Sequence, residues 1–174
     1  MWNRRRESVD ESKRTIHDPE RSRKRTMDRA VRLLAAKPRS IGELRTRLLE
    51  KLWTNEEIVD GVIEKLKEYK YLDDAQYARD LVASKLRQKP QGRRSLQQKL
   101  SQKKLDKQVL EEAIDATFEK HPETDILDIA IEKRISLKGV PQTREEIKKF
   151  YDHLMRRGFS YGLIKEELDK LGRS

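Results

Sequence analysis

The sequence contains no cysteine, which excludes disulfides, thiolate metal sites and cysteine nucleophiles outright. That absence fits a reducing compartment. No apolar run approaches the roughly 20 residues of a membrane-spanning helix, and the charged N-terminus is followed by no apolar stretch of the secretory kind. A cytoplasmic protein with no membrane partner is therefore expected. Glycine-rich phosphate loops followed by Lys-Ser or Lys-Thr are missing, as is any serine with a histidine and an aspartate in a workable arrangement. The three histidines, His17, His121 and His153, fall in three separate contexts and form no ligand cluster. No metal, no cofactor and no enzymatic activity are expected. Strict alternation of β-branched residues is also absent, whereas Leu, Lys, Glu, Arg, Gln and Ala fill the chain. The fold class read from this is all-α.

What is abundant is charge. Of 174 residues 41% are Asp, Glu, Lys or Arg and only 34% are hydrophobic, so thin, locally built cores must carry much solvated surface. The net charge of +10 favours a polyanionic partner, provided that the cations cluster. Residues 1–26 mix both signs and hold only Trp2, Val9 and Ile16 as sizeable hydrophobes, which predicts a disordered charged tail.

From Met27 onward the chain repeats itself. Leu44, Leu48, Trp53, Ile58 and Val62 are spaced by 4, 5, 5 and 4 residues. Adding 52 gives Leu96, Leu100, Leu105, Leu110 and Ile114, and adding 54 more gives Phe150, Leu154, Phe159, Ile164 and Leu168. The 4-spacings keep a helical phase and the 5-spacings break it, as a turn between two helices does. After each middle residue stands Thr54, Asp106 or Ser160, a side chain able to cap the next helix, and Glu57 completes a capping box with Thr54 as Glu43 does with Ser40. An amphipathic segment precedes each pair, marked by Ala30, Val31 and Leu34, by Ala78, Leu81 and Val82, and by Ala130, Ile131 and Ile135. Pro38, Pro90 and Pro141 fall in the joins that follow. Three tandem three-helix repeats are predicted, over 27–72, 73–121 and 122–174. Such units are marginal alone, so an elongated molecule, open to curvature, is expected.

Tyr71-Leu-Asp-Asp-Ala-Gln-Tyr77-Ala-Arg, continuing to Gly92-Arg-Arg-Ser-Leu-Gln-Gln-Lys-Leu-Ser-Gln-Lys-Lys-Leu105, closely resembles the best-marked segment of the RecX family, and the likeness extends over about residues 27–172. That family is built of tandem three-helix repeats. It often carries a glycine before the apolar turn residue, where this chain keeps only Gly158 and has Leu52 and Lys104 in the other copies. The resemblance implies a protein that lies in the groove of the RecA nucleoprotein filament and restrains ATPase, strand exchange or filament growth; a monomer is expected.

Between Lys85 and Lys107 nine basic residues meet one acid, Asp106, for a net charge of +8 in 23 residues. A solvated helix face ordinarily interleaves acids, so this cluster is a candidate contact surface for phosphates or an acidic protein patch. The candidates are Arg87, Lys89, Arg93, Arg94, Lys99, Lys103, Lys104 and Lys107, extended in the third copy by Lys148, Lys149, Arg156 and Arg157. The partner is the RecA filament or single- or double-stranded DNA, and a helical module that binds DNA without RecA is the rival reading. A helical adaptor for another acidic protein is a third. Acids such as Glu111, Glu112 and Asp115 complement a helix dipole. The tyrosines are read as core or boundary. Asp73 and Asp74, with Gln76 behind them, are read as a helix cap rather than a catalytic pair.

Overall fold

A computed structural model describes residues 14–171 of the chain. Among them lie nine α-helices and no strand: α1 (Pro19–Ala36), α2 (Ile41–Leu49), α3 (Glu56–Glu68), α4 (Asp74–Gln88), α5 (Arg93–Leu100), α6 (Lys107–Lys120), α7 (Glu123–Lys138), α8 (Arg144–Arg156) and α9 (Tyr161–Leu171). A 3-10 turn, Ser101–Lys103, follows α5. The protein is all-α, three helices to each sequence copy, and no described helix is long and apolar enough to cross a membrane. Twelve of the fifteen register positions are buried, while Trp53, Leu105 and Leu168 are half-buried. The spacing thus finds the core.

The helices gather into two compact units. The first holds the described residues up to Tyr77 together with Lys103–Leu105, and the second holds Ala78–Gln102 and the chain from Asp106 onward. In the first unit α1, α2 and α3 pack mutually around Ala30, Leu44, Leu48, Val59, Val62, Ile63, Leu66 and Leu72. In the second, α5 packs on α6, and α7, α8 and α9 pack on one another.

α1 corrects the sequence reading, because it begins eight residues before Met27, inside the segment expected to be disordered. Asp18 caps it, accepting from the amides of Glu20 and Arg21 at 3.0 Å, and Pro19 takes the first turn, where its missing N–H costs nothing. The inner face of its first two turns is Ser22 and Thr26, small polar residues that carry no hydrophobic signal, yet both are buried. Thr26 Oγ1 donates to Thr54 Oγ1 at 3.0 Å. Upstream, Arg14 donates to the carbonyls of Leu49, Lys51 and Thr54 at 2.7 to 3.0 Å. The part of the tail before residue 14 lies outside the described residues.

Thr54 is not the cap of α3. That role falls to Asn55, whose Oδ1 accepts from the Ile58 amide at 2.9 Å, so the expected box with Glu57 does not form. Asp106 and Ser160 do cap α6 and α9, and Ser40 with Glu43 forms the expected box. The aspartate pair divides its work: Asp73 Oδ1 accepts from the Gln76 amide and caps α4, while Asp74 Oδ1 accepts from the Ile41 amide, each at 2.9 Å. Burial raises the Asp74 carboxyl above its ordinary value, against the pull of that amide.

One tertiary joint occurs twice. In the first unit the start of α2 meets the turn at Lys103–Lys104: Ser40 Oγ donates to the Lys103 carbonyl at 2.5 Å, and a Cβ on Gly42 would strike the Lys104 carbonyl. In the second unit the start of α5 meets the turn at Arg157–Gly158: the Gly92 amide donates to the Arg157 carbonyl at 2.9 Å, and a Cβ on Gly158 would strike Ser95. Lys104 and Gly158 hold the same register position and both have left-handed backbones, φ 51° and 91°. The geometry survives in the second copy without glycine, at the strain a lysine bears there.

Candidate partner interface

The twelve cations singled out by sequence separate into four groups. Some build the fold. Arg93 ion-pairs with Asp115, lies 5.2 Å from the Phe118 ring centroid, and donates its amide to Glu123 Oε1 at 2.9 Å. Lys103 reaches Glu43 at 3.4 Å and Lys104 donates to Thr46 Oγ1 at 2.7 Å, both within the first unit. Others make ordinary surface pairs, Lys107 with Glu111 at 3.8 Å and Lys149 with Glu145 at 2.7 Å, which contribute little. Arg87, Arg94 and Lys148 are exposed.

The remaining four, Lys89, Lys99, Arg156 and Arg157, come together in the second unit. There they meet Lys85 from α4, Arg134 from α7 and His153 from α8. Burial lowers the Lys99 ammonium first, and repulsion from Lys89, Lys85 and Arg157 lowers it further. His153 is pushed below its ordinary value by burial and then by Arg157, Arg134, Arg156 and Lys89. Arg157 is lowered by burial and by Arg134. The charged groups named as acting on these three side chains, all among the described residues, are cations.

Neutral acceptors hold the cluster in place. Lys99 Nζ donates to Gln91 Oε1 at 2.5 Å, Ser95 Oγ donates to the same oxygen at 3.1 Å, and Gln91 Nε2 donates to the Lys85 carbonyl at 3.2 Å. Gln91 is 2% exposed, so this acceptor is fixed by its surroundings. Arg157 donates one terminal nitrogen to the Pro90 carbonyl at 3.2 Å. The Nε atoms of Arg134 and Arg157 are buried with no acceptor among the described residues. Like charges held this close disfavour their own protonated forms, and an anion brought among them relieves both the repulsion and the missing acceptors. The arrangement is suited to binding an anionic surface.

Arg134 and His153 were absent from the sequence candidates because linear density of Lys and Arg does not reach them. A signal was present nonetheless. Arg134 stands four residues after Ala130 and His153 three after Phe150, both on inward-facing stripes, and a cation there breaks the apolar pattern.

Comparison with known proteins decides the family. The description "RecX, first three-helix domain" matches residues 27–66, "RecX, second three-helix domain" residues 73–114, and "RecX, third three-helix domain" residues 123–168. The chain belongs to the RecX family. A regulatory protein RecX of Chlorobium phaeobacteroides is 34% identical over 152 residues, covering 87% of this chain and 96% of its own. The regulatory protein RecX of Prosthecochloris aestuarii is 32% identical over 148 residues, covering 85% and 94%. The crystal structure of RecX from Lactobacillus salivarius superposes with a TM-score of 0.77 at 21% identity, over 89% of this chain and 99% of that one. A second RecX crystal structure gives 0.71, also at 21% identity, over 85% and 73%. At that identity the two structures establish the RecX fold alone.

Proposed function

We propose that this chain is a regulator of RecA that binds the RecA nucleoprotein filament and restrains its ATPase, strand exchange and growth. The protein acts in the cytoplasm as a monomer, without cofactor and without catalysis of its own. Membership of a family whose members are named regulatory proteins supports the reading, and the observation that carries the contact is the all-cation neighbourhood of Lys99, His153 and Arg157. A nucleoprotein filament offers anions of two kinds, acidic side chains and phosphates, and electrostatic complementarity of this sort speeds encounter and fixes orientation.

The deciding experiment titrates the full chain into RecA from the same organism and follows single-strand-dependent ATPase. Suppression well below one copy per RecA subunit is expected. Charge reversal at the exposed residues Lys89 and Arg156 should weaken it, while reversal at Arg94, outside the cluster, should leave it nearly unchanged. Equal suppression by all variants removes the cluster from the interface. The rival, DNA binding without RecA, predicts tight duplex binding with a log-log salt slope of about minus 5 to minus 9, the value for some six to ten phosphate contacts. Such binding with no effect on RecA at saturation would replace the filament reading.

A further inference from the structure

A second concentration of arginine lies in the first unit, beside Trp53. Arg25, Arg29 and Arg32 project from α1 at helical spacings of four and three, and with Leu33 and Trp53 they line a cavity of about 330 Å³. Among the described residues no acid lines it; Asp28, the acid nearest in sequence on α1, borders a different cavity with Met27 and Val62. The Arg25 guanidinium sits 3.7 Å from the Trp53 ring centroid and the Lys51 ammonium 5.5 Å from it. Arg29 Nε and Trp53 Nε1 are buried donors with no acceptor among the described residues. Buried donors are almost always bonded, so two orphans in one cavity mark a place where an acceptor belongs.

We propose that this cavity binds a phosphate monoester, carried by a free nucleotide or by the 5′-phosphorylated end of a nucleic-acid strand. The planar guanidinium fork matches phosphate oxygens two at a time, and three such forks with no acid answer a group carrying about two negative charges better than a carboxylate or a diester carrying one. The volume sits at the low end of the range for small-molecule sites, room for one phosphate and the nucleoside behind it rather than for a strand running through. Trp53 supplies an aromatic face for the base once Arg25 turns from the ring to the phosphate. The site belongs to different residues and a different unit from the cationic cluster, so it stands apart from the filament reading.

The two tryptophans are Trp2 and Trp53, so a Trp2→Phe chain reports on the cavity through its own fluorophore. Fluorescence and calorimetric titrations use inorganic phosphate, thymidine, thymidine 5′-monophosphate and a short oligodeoxynucleotide with and without a 5′-phosphate. The monophosphate and the phosphorylated strand are expected to bind and change Trp53 emission, with thymidine and the 5′-hydroxyl strand at least tenfold weaker. Binding of the monophosphate but not the phosphorylated strand identifies the source as a free nucleotide and also supports the site. Arg29→Gln should weaken binding about tenfold or more, and Arg25→Lys, which keeps the charge but not the fork, should weaken it too, both with unchanged helicity. Equal binding of the two strands would mean a diester track and overturn the proposal. So would preference for a polyglutamate peptide over phosphate, or no Trp53 response to any phosphate.

Discussion

Replacing Gly158 by alanine tests the repeated joint most directly. Gly158 has φ 91°, where an L side chain is strained, and a Cβ there would strike the amide nitrogen and Cβ of Ser95 at the start of α5. The left-handed backbone costs about 1 to 2 kcal/mol for a non-glycine residue. Overpacking against a buried neighbour adds about 1 to 3 kcal/mol, because Ser95 is locked by its bond to Gln91 and cannot retreat freely. Gly158→Ala should therefore destabilise the second unit by about 2 to 5 kcal/mol. The same position in the other joint is Lys104, already left-handed at φ 51° but with its side chain bonded to Thr46. Lys104→Gly, which relieves the backbone but loses that bond and raises chain entropy, should change stability by less than about 1 kcal/mol. Urea denaturation combined with hydrogen exchange resolves the effect by unit, which matters because two compact units need not unfold in one step. A loss under about 0.5 kcal/mol for Gly158→Ala, or equal losses for both variants, would show that the turn is not clamped and refute the reasoning.

Leu100→Ala, at a position with no exposure in the second unit, should cost about 2 to 5 kcal/mol in the same denaturation assay, and a loss below 1 would discredit the register. Thr26→Val keeps the volume but leaves Thr54 Oγ1 without its donor; a loss of about 1 to 2 kcal/mol is expected, whereas a freely moving segment before Met27 would show none. Tyr77 is pushed up to about 12 by burial, by the charge of Glu43 and by its bond to that carboxylate. The neutral phenol is the form the fold favours, so its contribution is complete below the unfolded value near 10 and is lost as pH rises from there through about 12. Alkaline denaturation of Tyr77→Phe should lack that part of the pH dependence, and an unchanged profile would remove Tyr77 from the account.

The core was legible because helix periodicity is enforced by packing: Leu44, Leu48, Leu96, Leu100, Leu154 and Ile164 have no exposure at all. The part of α1 before Met27 escaped because its inward positions are serine and threonine, whose burial depends on hydrogen bonds rather than on apolar area. The Thr54 cap was misplaced by one residue, since the neighbouring Asn55 supplies the oxygen that accepts from Ile58 while Thr54 Oγ1 is bonded to Thr26. The strained turn at Lys104 was equally invisible, because lysine gives no sign of a left-handed backbone.

Cation density along the chain does not tell which cations the fold itself engages, and the physical reason is specific. A cation is available to a partner only if its own fold does not use it. Lys103 and Arg157 occupy equivalent register positions, and each gives its carbonyl to the start of a neighbouring helix, so part of their placement answers to the joint rather than to any ligand. Their side chains then diverge: Lys103 finds a carboxylate in Glu43, whereas Arg157 finds only a carbonyl, a buried orphan Nε and another arginine. One repeat position thus yields a neutralised strut in one copy and an uncompensated charge in the other. Compensation, legible only once acids and carbonyls are placed around each cation, tells which basic residues the fold itself uses.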